Sequence, residues 1–217
     1  MPEIKTAGNK IKKGDFIELD FSAYTGDGML FDTTREEDAK KAGIDVKDRK
    51  FEPLTICVGE GMLLRGLDRE IENKEIGKDY DILLKPEHAF GKRDVRLIKT
   101  VPLSAFTEMP HAGMMVNVNG MIARVVSVTS GRALIDLNNP LAGKEVIYKI
   151  QVRAIVHDNK KKISAIARMF GTDIENFEEK EGKAIASLKR QKSVNKGDIE
   201  LLKKKTKELA NLDLEVK

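Results

Sequence analysis

The stretch LTICVGEGMLLRGLDREI, residues 54–71, decides between two folds. Its Gly61 and Gly66 have the spacing of a phosphate-binding P-loop, which joins a strand to a helix. A P-loop requires Lys and then Ser or Thr directly after the second glycine, because these side chains contact the phosphates and Mg²⁺. Leu67 and Asp68 stand at those positions instead, and a carboxylate repels phosphate. We therefore expect another fold, in which this glycine loop faces an apolar ligand.

The same stretch predicts a strand followed by a short helix. The apolar run at 51–58 is typical of a strand, and the next apolar residues have the spacing of a helix with one buried face, at positions 63, 64, 67 and 71. Outward from it, residues 14–25 alternate apolar and polar before the sequence GDG, which predicts a strand and a tight turn. A long strand through Val156 looks like the partner of that first strand, with Val146, Tyr148, Ile150 and Val152 on one face.

Two further segments differ from this pattern. Residues 92–137 form short alternating runs separated by Asn-Gly and Ser-Gly turns, which predicts a small all-β insertion. The last segment, residues 157–217, predicts a helix at 160–170 ended by Gly171, a hairpin across Glu181–Gly182, a second helix with Asp198 as its N-cap, and a final strand. We expect this segment to be an α+β extension.

The amino-acid composition indicates which class of protein the chain belongs to. The chain has 217 residues, which suits two or three modules, and only 5% are aromatic, so a cluster of Phe and Tyr is informative. The single Cys57 cannot form an internal disulfide, and no apolar run reaches the ~18 residues of a membrane span. The N-terminus lacks the apolar core of a signal peptide. We expect a cytoplasmic protein with no membrane partner.

The net charge of +4 is concentrated in one region. Residues 158–217 contain 15 basic and 11 acidic side chains, whereas residues 1–157 contain 24 of each. Runs of three lysines at 160–162 and 203–205 suggest binding to nucleic acid or to the ribosome. Because acidic residues are interspersed with them, we favour solvated helix faces, and nucleic-acid binding is the less favoured alternative.

Four separated motifs identify a family. GDFIELDFSAYTGDGMLFDTT (14–34), VGEGMLLRGLDREI (58–71), PEHAFG (86–91) and NPLAGKEVIYKIQV (139–152) occur in this order. Together they resemble the FKBP-type peptidyl-prolyl cis/trans isomerases, in particular the SlyD-like branch, in which a chaperone flap is inserted. The resemblance covers residues 10–156, and archaeal members of the branch carry a similar C-terminal extension.

The resemblance implies an α+β fold with an antiparallel half-barrel sheet over the short helix. It divides the chain into a discontinuous isomerase domain at 1–91 and 138–156, a small all-β flap at 92–137 and a small α+β domain at 157–217. The family's prolyl pocket maps to Tyr24, Phe31, Asp32, Leu63, Leu64, Leu67, Phe90 and Tyr148. The Leu64 N–H is the expected donor to a substrate carbonyl.

Two pocket positions depart from the family pattern. Leu67 replaces the Trp that many members place at the pocket floor, and Phe90 replaces a Tyr. A leucine makes the floor roomier, and Phe90 lacks a hydroxyl that could bond a carbonyl. We therefore expect macrolide inhibitors to bind less readily than peptide substrates.

The residue types suit prolyl isomerisation. Rotation about an X-Pro bond is opposed by ~18–20 kcal/mol, because resonance gives the C–N bond partial double-bond character. A dry pocket that favours the twisted amide lowers this barrier, and no bond is broken, so we expect no cofactor. His88, His111 and His157 are isolated and lack the spacing of metal ligands, so we expect no metal.

The flap contains four of the eight methionines in the chain. Methionines in strands often fill a core, but a module of 46 residues has little room for large side chains. Flexible thioethers also suit surfaces that accept many sequences. We therefore predict a client-binding surface formed by Met109, Met114, Met115, Met121 and Ile122.

The function favoured by these observations is an isomerase and folding chaperone acting on unfolded or proline-containing polypeptides. The alternative is a non-catalytic FKBP-like scaffold, associated with RNA or ribosomes through its basic extension. Ile163, Ile166 and Phe170 form an apolar stripe in that extension, which suggests a homodimer. A self-sufficient α+β appendage is the competing interpretation of the same stripe.

Overall fold

The computed structural model describes residues 10–118, 120–180, 183–189 and 194–216. These residues form two compact units. The first contains the described residues up to Leu84 together with those from Val146 onward, and the second is Lys85–Glu145. Across the described ranges, no helix is both long and apolar enough to cross a lipid bilayer.

The first unit contains a five-stranded antiparallel sheet. Its strands are β1 (Phe16–Thr25), β2 (Leu30–Thr33), β3 (Leu54–Cys57), β4 (Asp79–Leu84) and β9 (Val146–Ile155). Their order is β2-β1-β9-β4, and β3 also pairs with β1. The long strand β9 pairs with β1 over most of its length, which confirms the partnership expected from the sequence.

One face of this sheet is covered by apolar packing. Val146, Tyr148, Ile150 and Val152 are all buried, because alternate side chains of β9 point to the same face. The short helix α2 (Arg65–Ile71) packs against β4 and buries Leu67 and Ile71. A second short helix, α1 (Glu36–Lys41), lies in the connection between β2 and β3. The α+β class and the short helix under the sheet are therefore confirmed.

The C-terminal extension alternates helices and strands. It contains α3 (Asn159–Met169), β10 (Ile174–Lys180), β11 (Lys183–Leu188), α4 (Lys196–Ala210) and β12 (Asp213–Val216). The strands form a sheet in the order β10-β11-β12, in which β12 runs parallel to β11. The hairpin predicted across Glu181–Gly182 has both of its strands, although the turn itself lies outside the described residues.

The N-cap predicted for α4 is wrong by three residues. Asn195 caps the helix, because its side chain accepts a hydrogen bond from the Asp198 N–H at 3.1 Å. The Asp198 carboxylate in turn accepts a hydrogen bond from the Asn195 N–H at 2.9 Å. Asp198 is thus the third helical residue of a capping box, in which the two side chains satisfy each other's backbone donors.

Within the first unit, the extension shares a hydrophobic core with the five-stranded sheet. Phe16 and Cys57 of the sheet region belong to the same buried cluster as Ile163, Ile166 and Leu202 of the extension. The helix α3 packs directly on β3. The change in charge at residue 158 therefore does not mark a separate core. The stripe that suggested a homodimer is buried inside its own chain, so it does not supply a dimer interface.

The second unit contains a four-stranded antiparallel sheet, in a region for which the turn pattern predicted a small all-β insertion at 92–137. Its strands are β5 (Ile98–Pro102), β6 (Met115–Val118), β7 (Met121–Thr129) and β8 (Arg132–Asp136), in the order β5-β8-β7-β6. Ser130 and Gly131 both have positive φ, at 46° and 79°, which gives the tight turn between β7 and β8. The centre of the core is buried on one face of the sheet and consists of Ala123, Val125, Ala133 and Ile135.

Candidate functional site

Tyr148 is the centre of an aromatic cluster on the inner face of the first sheet. It lies between Ala23 of β1 and Ile82 of β4, its direct partners in the two neighbouring strands, and only 6% of it is exposed. The Phe21 ring lies 5.8 Å from the Tyr148 ring, and the Phe31 ring meets it edge-on at 6.0 Å. Three aromatic rings thus form the apolar wall of a site.

Tyr24 lies on the opposite face of the sheet from Tyr148. Its direct partner is Ile147, and paired residues of neighbouring strands share a face. The Lys149 ammonium lies 5.7 Å from the centre of the Tyr24 ring. Among the described residues, no ring contact joins Tyr24 to the aromatic cluster. Phe21, which the sequence analysis did not select, occupies the inner face instead.

The period-two pattern of β1 contained the signal for Phe21. Residues 19, 21 and 23 share one side of a regular strand, and Ala23 pairs with Tyr148. Tyr24 belongs to the other set of alternate residues. A choice based on strand alternation instead of aromatic type would have selected Phe21.

A β-bulge places two consecutive residues beside Tyr148. Ala23 pairs with Asp32, but Tyr24 pairs with Leu30, so Phe31 is the extra residue of the bulge. Asp32 is exposed and lies close enough to act on Tyr148 electrostatically. Burial, reinforced by the Asp32 charge, raises the pKa of Tyr148 to about 12, because both disfavour the phenolate. The Tyr148 hydroxyl therefore stays protonated to a higher pH than that of a solvent-exposed tyrosine.

The glycine loop is held by a carboxylate. The Gly59 and Gly61 N–H groups donate to the two oxygens of Asp68 at 2.8 and 3.0 Å. Both glycines have positive φ, and a Cβ on Gly59 would lie 2.6 Å from the Lys13 side chain. Asp68 thus occupies the amide donors that a P-loop would offer to phosphate. This arrangement explains why P-loop glycine spacing occurs here without a phosphate site.

The leucines that follow this loop differ in exposure. Leu67 is buried, whereas Leu63 and Leu64 are half-buried. Leu64 has an extended ψ of 137° and precedes α2, where its carbonyl accepts from the Asp68 N–H at 2.9 Å. Among the residues that the structure describes, no acceptor for the Leu64 N–H is found. This N–H therefore has no partner within the described part of the chain, and its role as a donor to substrate stays a prediction.

Phe90 is the one pocket residue of the sequence analysis that belongs to the second unit. It is half-buried and follows a short 3-10 turn at Pro86–His88. The chain passes next through Gly91, whose carbonyl accepts a bond from the Gly143 N–H at 2.8 Å. This contact closes the base of the second unit.

The second unit carries an apolar groove of about 1090 Å³. Met115, Ile122 and Val126 line it, and they are 51%, 67% and 40% exposed. Basic side chains also line it, from Arg93, Arg124 and Lys144. Asp136 lines it as well and forms an ion pair with Arg93. The groove is therefore an accessible apolar surface with basic side chains and one carboxylate in its lining.

The other methionines predicted to bind clients do not line this groove. Met109 and Met121 are exposed at 76% and 54% but do not line the groove. Met114 packs against the core of the flap sheet. The five residues selected from the sequence thus divide into two groove residues, two exposed residues outside the groove and one residue packed against the core.

The described ranges contain no group of three or more His, Cys, Asp or Glu side chains that could hold a metal ion. Cys57 is fully buried, and burial followed by the charges of Glu60 and Asp68 raises the pKa of its thiol to about 12. A thiol with this pKa stays protonated at neutral pH and is a poor nucleophile.

Comparison with known families gives two matches. The model of the FKBP-type peptidyl-prolyl cis-trans isomerases matches residues 8–105. The model described as FKBP26, IF domain, matches residues 99–141, which fall within the second unit.

Similar curated proteins are also described as peptidyl-prolyl cis-trans isomerases. The short-type peptidyl-prolyl cis-trans isomerase of Methanocaldococcus jannaschii is 35% identical over 150 residues, which cover 68% of this chain and 95% of that protein. The SlyD isomerase of Pasteurella multocida is 24% identical over 67% of this chain and 69% of its own length. That of Escherichia coli K12 is 26% identical over 67% of this chain and 70% of its own length.

Proposed function

The chain belongs to the FKBP-type peptidyl-prolyl cis-trans isomerase family, and from this premise we propose that its two units act on one client polypeptide. The first unit isomerises X-Pro bonds. The second unit holds the same unfolded chain in its apolar groove, which makes the protein a folding chaperone as well as an isomerase. Unfolded or proline-containing polypeptides are its partners.

The aromatic cluster suits the isomerisation step. The rings of Phe21, Phe31 and Tyr148 offer an apolar wall to the prolyl ring, and the Leu64 N–H is free to donate to a substrate carbonyl. Such a site accelerates rotation only if it binds the twisted amide more tightly than the planar one. Each ~1.4 kcal/mol of this difference gives a tenfold higher rate. No bond is made or broken, so no nucleophile is needed.

The single observation that supports client binding is the exposed apolar face of the flap sheet. Met115, Ile122 and Val126 remain accessible although Ala123 and Val125 of the same strand region are buried in the flap core. A soluble domain rarely leaves several large apolar side chains exposed together unless they bind something. Methionine and branched aliphatic side chains adapt to many client sequences.

The groove is tested by replacing its apolar residues while leaving the prolyl site intact. We expect Met115→Ser combined with Ile122→Ser to slow catalysis of a proline-limited refolding reaction by roughly tenfold, because the client loses its second contact. The rate on a short X-Pro tetrapeptide should stay within about twofold of wild type, since the proposed second contact serves longer client chains.

Met109→Ser is the matched control. Met109 is the most exposed of these methionines, at 76%, and lies outside the groove, so this variant should refold the protein substrate at the wild-type rate. An equal loss on both substrates in the groove variant, or an equal loss in the control, would contradict client binding by the groove. A wild-type chain inactive on both substrates would favour the scaffold alternative.

A further inference from the structure

We propose that the C-terminal extension positions the active-site loop, and that Lys205 of α4 is the main positioning residue. The pocket loop is defined here as residues 58–64, which end at the Leu64 N–H. The inference rests on the proposed function, because it assigns the extension a role in the same prolyl site. The matches to known families end at residue 141, so they give the extension no role.

The first contact is an ion pair between the extension and the loop. The Lys205 Nζ lies 2.9 Å from the Glu60 carboxylate, and the two side chains are only 31% and 18% exposed. The hydrogen bond to Glu60 is the largest cause of the raised pKa of Lys205. A partly buried, hydrogen-bonded pair of this kind is stronger than an exposed surface pair, whose worth is small.

The second contact is apolar. Met62 packs against the cluster that contains Ile163, Ile166 and Leu202 of the extension. Its sulfur also accepts a hydrogen bond from the Cys57 N–H at 3.1 Å, which ties the loop back to the end of β3. The thioether thus connects the loop to the shared core.

Successive residues of the pocket loop are held in turn by Asp68 and by the extension. Gly59 and Gly61 donate to the Asp68 carboxylate, whereas the side chains of Glu60 and Met62 contact the extension or the core it shares. The loop is therefore held on both sides, residue by residue, directly before Leu63 and Leu64. Since Leu64 follows Met62 by two residues, a shift of the loop moves the N–H that is free for substrate. A displacement of about 1 Å at such a site can cost a large factor in rate.

The direct test is Lys205→Met, which keeps the length of the side chain and removes its charge. We expect kcat/KM on an X-Pro tetrapeptide to fall about fivefold at a temperature where the variant is fully folded by circular dichroism. The Leu64 amide resonance should shift in the same variant. Lys205→Arg should restore both, because it keeps a cation within reach of Glu60.

Lys207→Met is the matched control. Lys207 lies on the same helix and forms a 2.8 Å ion pair with Asp213, within the extension and without contact to the loop. This variant should keep both the wild-type rate and the Leu64 resonance. Glu60→Gln should reproduce the loss, and combining it with Lys205→Met should add little, because both changes remove the Lys205–Glu60 pair. Lys205 also pairs with Glu208 at 3.4 Å, but that contact lies within α4.

The inference is overturned if Lys205→Met leaves the Leu64 resonance and the tetrapeptide rate unchanged, or if Lys207→Met causes the same changes. A wild-type chain without tetrapeptide activity would instead overturn the proposed isomerase function. The Leu64 resonance would still decide whether the extension positions the loop.

Discussion

At the scale of single residues, the direction of a side chain mattered more than its type. Tyr24 and Phe31 are both aromatic residues within the motif at 14–34, but of the two only Phe31 meets the Tyr148 ring. Tyr24 lies beside Ile147 and Lys149 on the other face. Strand alternation and one bulge separate these two rings, and neither is a property of the residue type.

We expect Phe31→Leu to lower kcat/KM on an X-Pro tetrapeptide by about tenfold, because it removes an edge-on ring contact and part of the apolar wall. Tyr24→Leu is the matched change on the neighbouring strand and should alter the rate by less than about twofold. A protease-coupled assay on both variants measures this. A larger loss in Tyr24→Leu than in Phe31→Leu would contradict the placement of the site.

Tyr148 also predicts a dependence of stability on alkaline pH. Its pKa is raised from 10.0 to about 12 in the folded protein, by burial first and by the Asp32 charge second. The unfolded chain therefore releases this proton at lower pH than the folded chain does. The stabilisation is fully present below pH 10 and is lost as the pH rises toward 12.

The measurement is the free energy of unfolding in urea between pH 9 and pH 12, compared with Tyr148→Phe. Both proteins should carry Cys57→Ala, because the buried thiol, whose pKa is raised from 9.0 to about 12, adds a slope of its own. We expect the phenylalanine variant to lose stability less steeply. Identical slopes in the two proteins would show that Tyr148 is not shielded from solvent as described.

At the scale of elements, the extension is part of the core that supports the sheet. The helix α3 lies on β3, and α4 reaches the pocket loop through Lys205. The extension, whose charge balance differs from that of the rest of the chain, therefore completes the hydrophobic core on which the strands of the sheet pack. Its apolar stripe serves the chain's own packing.

Ile166→Ala should lower the free energy of unfolding by about 2–5 kcal/mol, because Ile166 is fully buried between the extension and the sheet. Amides of β3, such as those of Thr55 and Ile56, should exchange faster with solvent in this variant. Hydrogen exchange and urea unfolding measure the two effects.

Leu201→Ala on α4 is the control for this change. Leu201 is 52% exposed, so its loss should change the free energy of unfolding by less than about 0.5 kcal/mol. If Ile166→Ala destabilised the extension without affecting exchange in β3, the shared core would be refuted.

At the scale of the whole molecule, the second unit, which contains the flap, is inserted between two directly paired residues. Leu84 ends β4 and pairs with Val146, which begins β9. Near the base of the flap, the Asp94 N–H donates to the Asn138 side chain at 2.8 Å, and the Asn138 amide donates back to the Asp94 carbonyl at 2.9 Å. The chain therefore enters and leaves most of the flap at neighbouring positions.

Deleting residues 95–137 and joining Asp94 to Asn138 through a short glycine linker should leave the tetrapeptide rate within a fewfold. This deletion keeps Phe90, and the two joined residues already lie within hydrogen-bond distance. Activity on a refolding protein and suppression of aggregation should fall by about two orders of magnitude, because the second client contact is lost. Equal losses on both substrates would make the flap part of the catalytic scaffold, and equal retention would mean that it binds no client.

The homodimer stays a prediction, and its original support is gone. Ile163 and Ile166 are fully buried within one chain, and Phe170 packs against the same cluster. A dimer through the extension would have to use other surfaces. Light scattering at micromolar concentration decides between a monomer and a dimer.

The sequence by itself determined the family and the α+β class with its short helix after the glycine loop. It placed the insertion at 92–137, whereas the compact second unit is Lys85–Glu145. These features appear as local patterns, which neighbouring residues reveal. They are the alternation in β1 and β9, the helical spacing after Gly61 and the turn dipeptides of the flap. The exclusion of a P-loop was equally local, because it depended on Leu67 and Asp68.

Only the tertiary structure decided which side chains meet. Strand register decides that the bulge directs Phe31 toward Tyr148 and that Phe21, not Tyr24, lies beside it. Contacts between residues distant in sequence give the Asp68 bonds to two glycine amides and the Lys205–Glu60 pair. A shift of one residue in register moves a side chain to the other face of a sheet, and no short stretch of sequence specifies that register. For the same reason, the charge of the extension did not reveal its packing: composition records which residues a segment contains, whereas burial depends on the surface they fold against.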